Sequence, residues 1–276
     1  MVNMRTISIG SVQVGPERPF VLIGGPCVAE SLDVCLEVGE ALKHCCDALG
    51  MGYIFKASFD KANRSTIGSG RGPGLEKGLE LLADVRGKLA VPVTTDIHES
   101  SQAAPVAQVI DLLQIPAFLC RQTDLLTAAA ETGKPINVKK GQFLSPKEMQ
   151  FVVDKLIQSG AQEAGIMLTE RGSFFGYHRL VNDFVGVGDL LDLGWPVCFD
   201  VTHSTQRPGA GATTGGNPQR APLLARCAVA TGVQALFIET HPNPQAALSD
   251  AAAMLPLEVT LELLPRLVKL HQLVSS

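Results

Sequence analysis

The chain has 276 residues, 46% of them hydrophobic, with a formal net charge of −4 and a sequence pI of about 5.9. That length suits one large α/β barrel or two modest domains, and the acidic balance excludes a whole-chain attraction to nucleic acid or anionic membrane. Seven cysteines, at 27, 35, 45, 46, 120, 198 and 227, are odd in number and contain no C-x-x-C pair. A reducing compartment is expected, not a secreted disulfide scaffold. The first residues lack an apolar targeting core, and no apolar run reaches membrane-spanning length. The expectation is a soluble cytoplasmic protein with no nucleic-acid or membrane partner.

Residues 5–14 carry the pattern of a small hairpin, and 1–18 are expected to close one end of the fold. Short β-rich runs then recur at 20–27, 53–58, 91–97, 110–116, 135–140, 164–170, 196–203 and 234–241. Helical patterns separate them, for example at 31–49, 74–88, 122–132, 145–159 and 256–273. Ser145-Pro146-Lys147-Glu148 is a helix start, with Ser as N-cap, Pro at the first position and an acid in the first turn. No low-complexity linker or composition shift divides the chain, so 1–276 reads as one domain. Eight strand–helix units imply parallel pairing and a (β/α)₈ TIM barrel. A doubly wound open sheet is the alternative, since strand count alone does not prove closure.

Nearly every predicted strand ends in a reactive or ionic side chain: Cys27, Lys56, Asp96, Gln114, Lys139, Arg171, His203 and Glu239. Barrel active sites are built at those ends. A lone strand-end histidine is more often structural than a ligand, and a lone buried cysteine is more often inert. Cys27, His203, Glu239 and Asp250 together reverse those odds. A thiol, an imidazole and two carboxylates suit a divalent transition metal, and a closed barrel would join them by bringing its first strand beside the last two. The other cysteines 35, 45, 46, 198 and 227 read as packing, and His98 and His241 have no assigned partner. The segment 56–65 packs Lys56, Lys61 and Arg64 with Ser58 and Ser65 on one loop. With Arg121, Lys139, Lys140 and Arg171 it predicts a cationic mouth that an anionic ligand compensates. Gly209–Gly216 is neither a Walker loop nor a dinucleotide fingerprint; it reads as a loop able to cover the mouth or as a plain connection.

The motifs GGPCVAES (24–31), KASFDKANRS (56–65), TDIHE (95–99), QIPAFLCRQTDL (114–125), NVKKGQF (137–143), FDVTHS (199–204) and FIETHP (237–242) with LSD (248–250) resemble the 3-deoxy-D-manno-octulosonate-8-phosphate synthases. The resemblance runs nearly end to end, apart from 205–222. KANRS separates the chain from the sibling heptulosonate-phosphate synthases, which read Pro-Arg-Thr-Ser there. Cys27 stands where the metal-independent class has Asn, so the resemblance is to the metal-dependent class.

The resemblance implies a homotetramer of barrels joining phosphoenolpyruvate to arabinose 5-phosphate in lipopolysaccharide sugar biosynthesis. It places phosphoenolpyruvate against Lys61, Gln114, Ala117, Lys139 and Arg171, with Lys56 and His203 nearby. Arabinose 5-phosphate would use Asn63, Arg64, Ser65 and Asp96, and Arg121 would reach a site across a subunit interface. Cys27, Lys56, Lys61 and His203 are the expected catalytic residues, and Cys27, His203, Glu239 and Asp250 the ligands of Fe, Mn, Co or Zn. Other readings are a heptulosonate- or sialic-acid-type synthase with a different aldehyde, a Schiff-base aldolase using Lys56 or Lys139, and a non-catalytic sugar-phosphate sensor.

Overall fold

The apolar runs become short strands that are buried along nearly their whole length, because a parallel barrel covers both faces of each one. The computed structural model describes residues 4–63, 67–209, 215–249 and 251–274. Strands β1 (Ile7–Ile9) and β2 (Val12–Val14) form an antiparallel hairpin. The repeat follows as β3 (Val21–Gly25), α1 (Leu32–Leu49), β4 (Gly52–Lys56), α2 (Leu75–Leu89), β5 (Val93–Asp96), α3 (Ser100–Ala107), β6 (Leu112–Ile115) and α4 (Thr123–Ala130). It continues through β7 (Ile136–Lys139), α5 (Met149–Gln158), β8 (Ile166–Glu170), α6 (Phe184–Leu191), β9 (Val197–Asp200) and α7 (Val201–Ser204). A two-residue ribbon, β10 (Gln206–Arg207) with β11 (Gly215–Gly216), precedes α8 (Ala221–Ala230) and β12 (Ala235–His241). The short β13 (Leu255–Pro256) and α9 (Leu257–Val274) complete the order.

Strands β3 to β9 pair in parallel in chain order, and β12 pairs with both β9 and β3. The sheet is therefore closed: eight parallel strands, a TIM barrel, and not the open doubly wound alternative. Helix α1 shows how the outer layer forms. Ser31 accepts the Val34 N–H at 3.2 Å as N-cap, and Cys35, Val38, Leu42 and Cys46 form the buried stripe at helical spacing. Gly50 ends the helix in the left-handed region at φ 65°. The expected start at Ser145 forms with a reciprocal Ser145–Glu148 capping box, its first turn being a 3₁₀ turn ahead of α5.

The hairpin lies under the N-terminal ends of the strands. Ile7 packs where Gly165 leaves room before β8, Gly10 lies against Pro92 before β5, and Val12 lies against Gly52 at the start of β4. Arg5 donates its N–H to the Gly194 carbonyl at 3.0 Å and stacks over Trp195. Ile9 and Val14 are fully buried.

The end of the seventh barrel strand differs from the sequence expectation, which carried it through His203. Strand β9 stops at Asp200, whose carboxylate accepts the His203 backbone N–H at 2.9 Å and caps the helical turn α7. His203 therefore stands on a helical turn above the barrel rim. A local side-chain acceptor has overridden the β-branched run Val201-Thr202.

Candidate active site

Register decides what meets at the C-terminal mouth. Strand β12 lies between β9 and β3, with Phe237 opposite Asp200 and Glu239 opposite Gly25. Gly25 is required here, because a Cβ would lie 2.1 Å from the Lys56 carbonyl oxygen. That close approach lets the chain after β3 lie against β4, where Lys56 Nζ donates to the Cys27 carbonyl at 3.2 Å. Lys56, only 1% exposed, also donates to Glu239 Oε1 at 2.5 Å, and Lys61 Nζ lies 3.6 Å from the same oxygen. Burial opposes ionisation of Glu239, but Lys56 and then Lys61 outweigh it and hold the carboxyl well below its ordinary range.

On the far side of Lys56, Asp96 accepts from Ser58 Oγ and Gln114 Nε2. Gln114 accepts from Asn137 Nδ2 at 3.1 Å, and Asn137 accepts from the Thr169 hydroxyl at 2.6 Å. An ionised Asp96 accepts only, so the donors of this belt all point towards it across four strands. Burial raises the Asp96 pKa, yet Lys56, Lys61 and Lys139 more than reverse this and leave it below its usual value.

Lys139 donates to Asp200 Oδ2 at 2.7 Å and stands 3.5 Å over the Phe237 ring. Asp200 is fully buried and also receives the His203 ring at Nδ1, 2.8 Å away. Arg171 donates through one terminal nitrogen to Gln206 Oε1 at 2.7 Å. Ala117, itself buried, opens a 3₁₀ turn after Pro116, while Asn63 and Arg121 are exposed. Arg64, Ser65 and Asp250 lie outside the described residues. So does most of the glycine-rich segment; its described flanks pair as the β10–β11 ribbon.

The sequence alone leaves compensation of the mouth cations to an anionic ligand. The chain supplies much of it itself. Lys56 faces Glu239, Lys139 faces Asp200, and Lys140 lies 3.4 Å from Glu170. Lys140 is further committed to the Gly141 and Leu144 carbonyls and to Ser173 Oγ, so it braces the loops after β7 and β8. The physical reason is desolvation: an ammonium this deeply buried needs an opposite charge in place before any ligand arrives.

For a metal, the described residues give a donor pair. His203 Nε2 and Glu239 Oε2 are 3.8 Å apart, and that carboxylate oxygen is buried without a hydrogen-bond partner. The spacing is too long for a hydrogen bond and near the roughly 3.4 Å between two tetrahedral ligands of one ion. Cys27 lies two residues past the partner of Glu239, only 2% exposed. No three His, Cys, Asp or Glu side chains among the described residues converge on one point by themselves. The pair fits a divalent cation that further donors would have to complete.

Asp200, Glu170, Asn137 and Thr169 were not singled out from sequence, nor was Glu30. Glu30 accepts from His241 Nε2 at 2.6 Å and from the Leu248 N–H at 3.3 Å, tying the segment after Cys27 to the chain beyond β12. A sequence signal existed for Asp200 alone, in its N-cap spacing three residues before His203. His98 packs edge-on against Phe59; burial drives it towards the neutral form despite Asp96.

The sequence matches the DAHP synthetase I family over residues 3–276. The chain belongs to that family. Among its relatives, a protein of Cyanothece sp. is 59% identical over 244 residues, covering 88% of this chain and 89% of its own. One of Desulfatibacillum aliphaticivorans is 49% identical over 272 residues, covering 98% and 99%. One of Fusobacterium nucleatum is 50% identical over 275 residues, covering 99% and 98%. All three are named 2-dehydro-3-deoxyphosphooctonate aldolase. As a DAHP synthetase I family member the chain thus sits among relatives of one name, and no described helix is long and apolar enough to cross a membrane.

Proposed function

We propose that the chain condenses phosphoenolpyruvate with D-arabinose 5-phosphate and water, giving 3-deoxy-D-manno-octulosonate 8-phosphate and inorganic phosphate. The observation that carries this reading is near full-length identity to 2-dehydro-3-deoxyphosphooctonate aldolases. The KANRS segment at 61–65 favours the pentose phosphate over the aldehyde of a heptulosonate- or sialic-acid-type synthase.

In this reading Lys61, Lys139 and Arg171 meet the phosphate and carboxylate of phosphoenolpyruvate, with Gln114 and Ala117 lining the same place. Asn63, Arg64 and Ser65 hold the sugar phosphate. Asp96 accepts a sugar hydroxyl; its two oxygens carry about four lone-pair sites, so Ser58 and Gln114 do not exhaust it. Carbon 3 of the enol attacks the aldehyde carbon, whose oxygen gains a proton, while water adds at carbon 2. The resulting hemiketal phosphate loses phosphate as its C–O bond breaks, leaving the 2-keto acid. Lys56, held by Glu239 and the Cys27 carbonyl, is a fixed positive charge beside the reacting carbons and costs no reorganisation during reaction. Holding two phosphorylated substrates in attack geometry supplies much of the rate.

Cys27, His203, Glu239 and Asp250 would hold an Fe, Mn, Co or Zn ion. Such an ion would supply Lewis acidity and positive charge at the mouth. A homotetramer, with Arg121 reaching a neighbouring site, and a cytoplasmic location belong to the same proposal.

The substrate assignment is tested by offering arabinose 5-phosphate and erythrose 4-phosphate in competition. Preference for the pentose phosphate is expected; preference for the tetrose would return the chain to the heptulosonate reading. For the metal, chelation should abolish activity, and Fe²⁺, Mn²⁺, Co²⁺ or Zn²⁺ should restore it where Mg²⁺ and Ca²⁺ do not. Full activity after verified metal removal would overturn that part alone.

A further inference from the structure

Among the described residues, every hydrogen-bond partner of the Asp200 carboxylate is a donor. Its Oδ1 accepts the His203 backbone N–H at 2.9 Å, and its Oδ2 lies 2.8 Å from His203 Nδ1 and 2.7 Å from Lys139 Nζ. With no proton of its own to give in that setting, it requires the imidazole to present Nδ1–H. The Nε2 lone pair then faces Glu239 Oε2, a buried oxygen with no hydrogen-bond partner among the described residues. The backbone contact fixes where the ring starts, and the side-chain contact fixes how it is turned. Phe237, 5.8 Å from the His203 ring and under Lys139, closes the remaining side.

We propose that Asp200 is a positioning residue that locks His203 in the Nδ1–H tautomer and aims its Nε2 lone pair at the Glu239 side of the mouth. This inference rests on the metal reading above for its purpose, but not for its geometry. A carboxylate behind a ligand histidine fixes the tautomer and raises the ring's basicity, and its loss typically weakens metal affinity by roughly 10–100-fold. Lys139 shares the same carboxylate, so one side chain organises both an expected substrate cation and an expected metal ligand.

The test is nitrogen NMR of ¹⁵N-histidine-labelled, metal-free protein, followed upward in pH until the His203 ring carries a single proton. The His203 signals are assigned by their disappearance in His203→Gln. The expected result is a protonated Nδ1 and an unprotonated Nε2. An Nε2–H tautomer in the singly protonated wild-type ring would overturn the proposal, whatever any variant does. In the second arm Co²⁺ affinity is measured by titration against a chelator for wild type and Asp200→Asn. Asn offers one acceptor oxygen to three donors, so affinity should fall roughly 10–100-fold. Unchanged Co²⁺ affinity in a folded Asp200→Asn protein would also overturn it. If the wild-type protein itself fails to bind Co²⁺, the metal reading falls, and the NMR arm still decides the role of Asp200.

Discussion

The two ends of the barrel are built from opposite materials. At the N-terminal end an apolar hairpin seals the strands, with Ile9 and Val14 fully buried and Ile7 and Val12 fitted against glycines. At the C-terminal end buried lysines and carboxylates crowd together, among them Lys56, Lys139, Lys140, Glu170, Asp200 and Glu239. Hydrophobic burial is non-directional and tolerant, so it serves for closure. Buried ion pairs contribute little net stability and fix geometry closely, so they belong where chemistry needs fixed charges. Substitutions at the hairpin end should therefore cost stability alone, whereas those that break a pair at the mouth should cost activity as well.

The largest effect is expected for Glu239→Ala. It leaves the ammonium of Lys56, 1% exposed, without its nearest carboxylate. Loss of one partner from a buried pair costs about 3–5 kcal/mol, and activity should vanish with it. Denaturant unfolding and steady-state kinetics check both. A stable, inactive Glu239→Ala would show that the mouth holds its charges without this pair.

At the other end Ile9→Ala should cost about 2–5 kcal/mol through lost burial and a residual cavity. Its kcat/KM should stay within about twofold of wild type in the remaining folded protein. A large kinetic defect would mean that the bottom of the barrel transmits strain to the mouth.

Within the mouth, Arg64→Ala sharpens the proposed division between substrates. One lost charge-assisted phosphate contact is worth about 1.5–3 kcal/mol, or roughly tenfold or more in the KM for arabinose 5-phosphate. The KM for phosphoenolpyruvate should hardly move. Equal changes in both would remove the assignment of this segment to the sugar phosphate.

The smallest effects concern the outer layer. Burial, aided by nearby negative groups, pushes the thiols of Cys35 and Cys46 up to about 12. Both should resist alkylation in the folded protein near neutral pH, while the partly exposed Cys45 and Cys227 react first. Mass spectrometry of labelled peptides checks the order. Early labelling of Cys35 would mean that α1 opens more readily than its buried stripe implies.

Particular residues show how much of this was legible in the sequence. The barrel could be read because eight apolar runs alternate with helical periodicity, and local pattern suffices for both. Closure is not a local property: it rests on β12 pairing with both β9 and β3. At the mouth, Lys56, Asp96, Gln114, Lys139, Arg171 and Glu239 could be named because they stand at strand ends. Their partners could not. Lys56 and Glu239 are 183 residues apart in sequence, and no local pattern announces that they touch. His203 was placed on a strand because Val201-Thr202 favours one. The competing signal was a single side chain, Asp200, capping three residues ahead.

Formation of a carbon–carbon bond between phosphoenolpyruvate and a pentose phosphate is tested most directly by measuring phosphate release from phosphoenolpyruvate by the purified protein. Release is expected only when arabinose 5-phosphate is present, with one eight-carbon keto acid phosphate formed per phosphate released. Phosphate release at the same rate without any aldehyde, or no release with both substrates and a transition metal supplied, would contradict it.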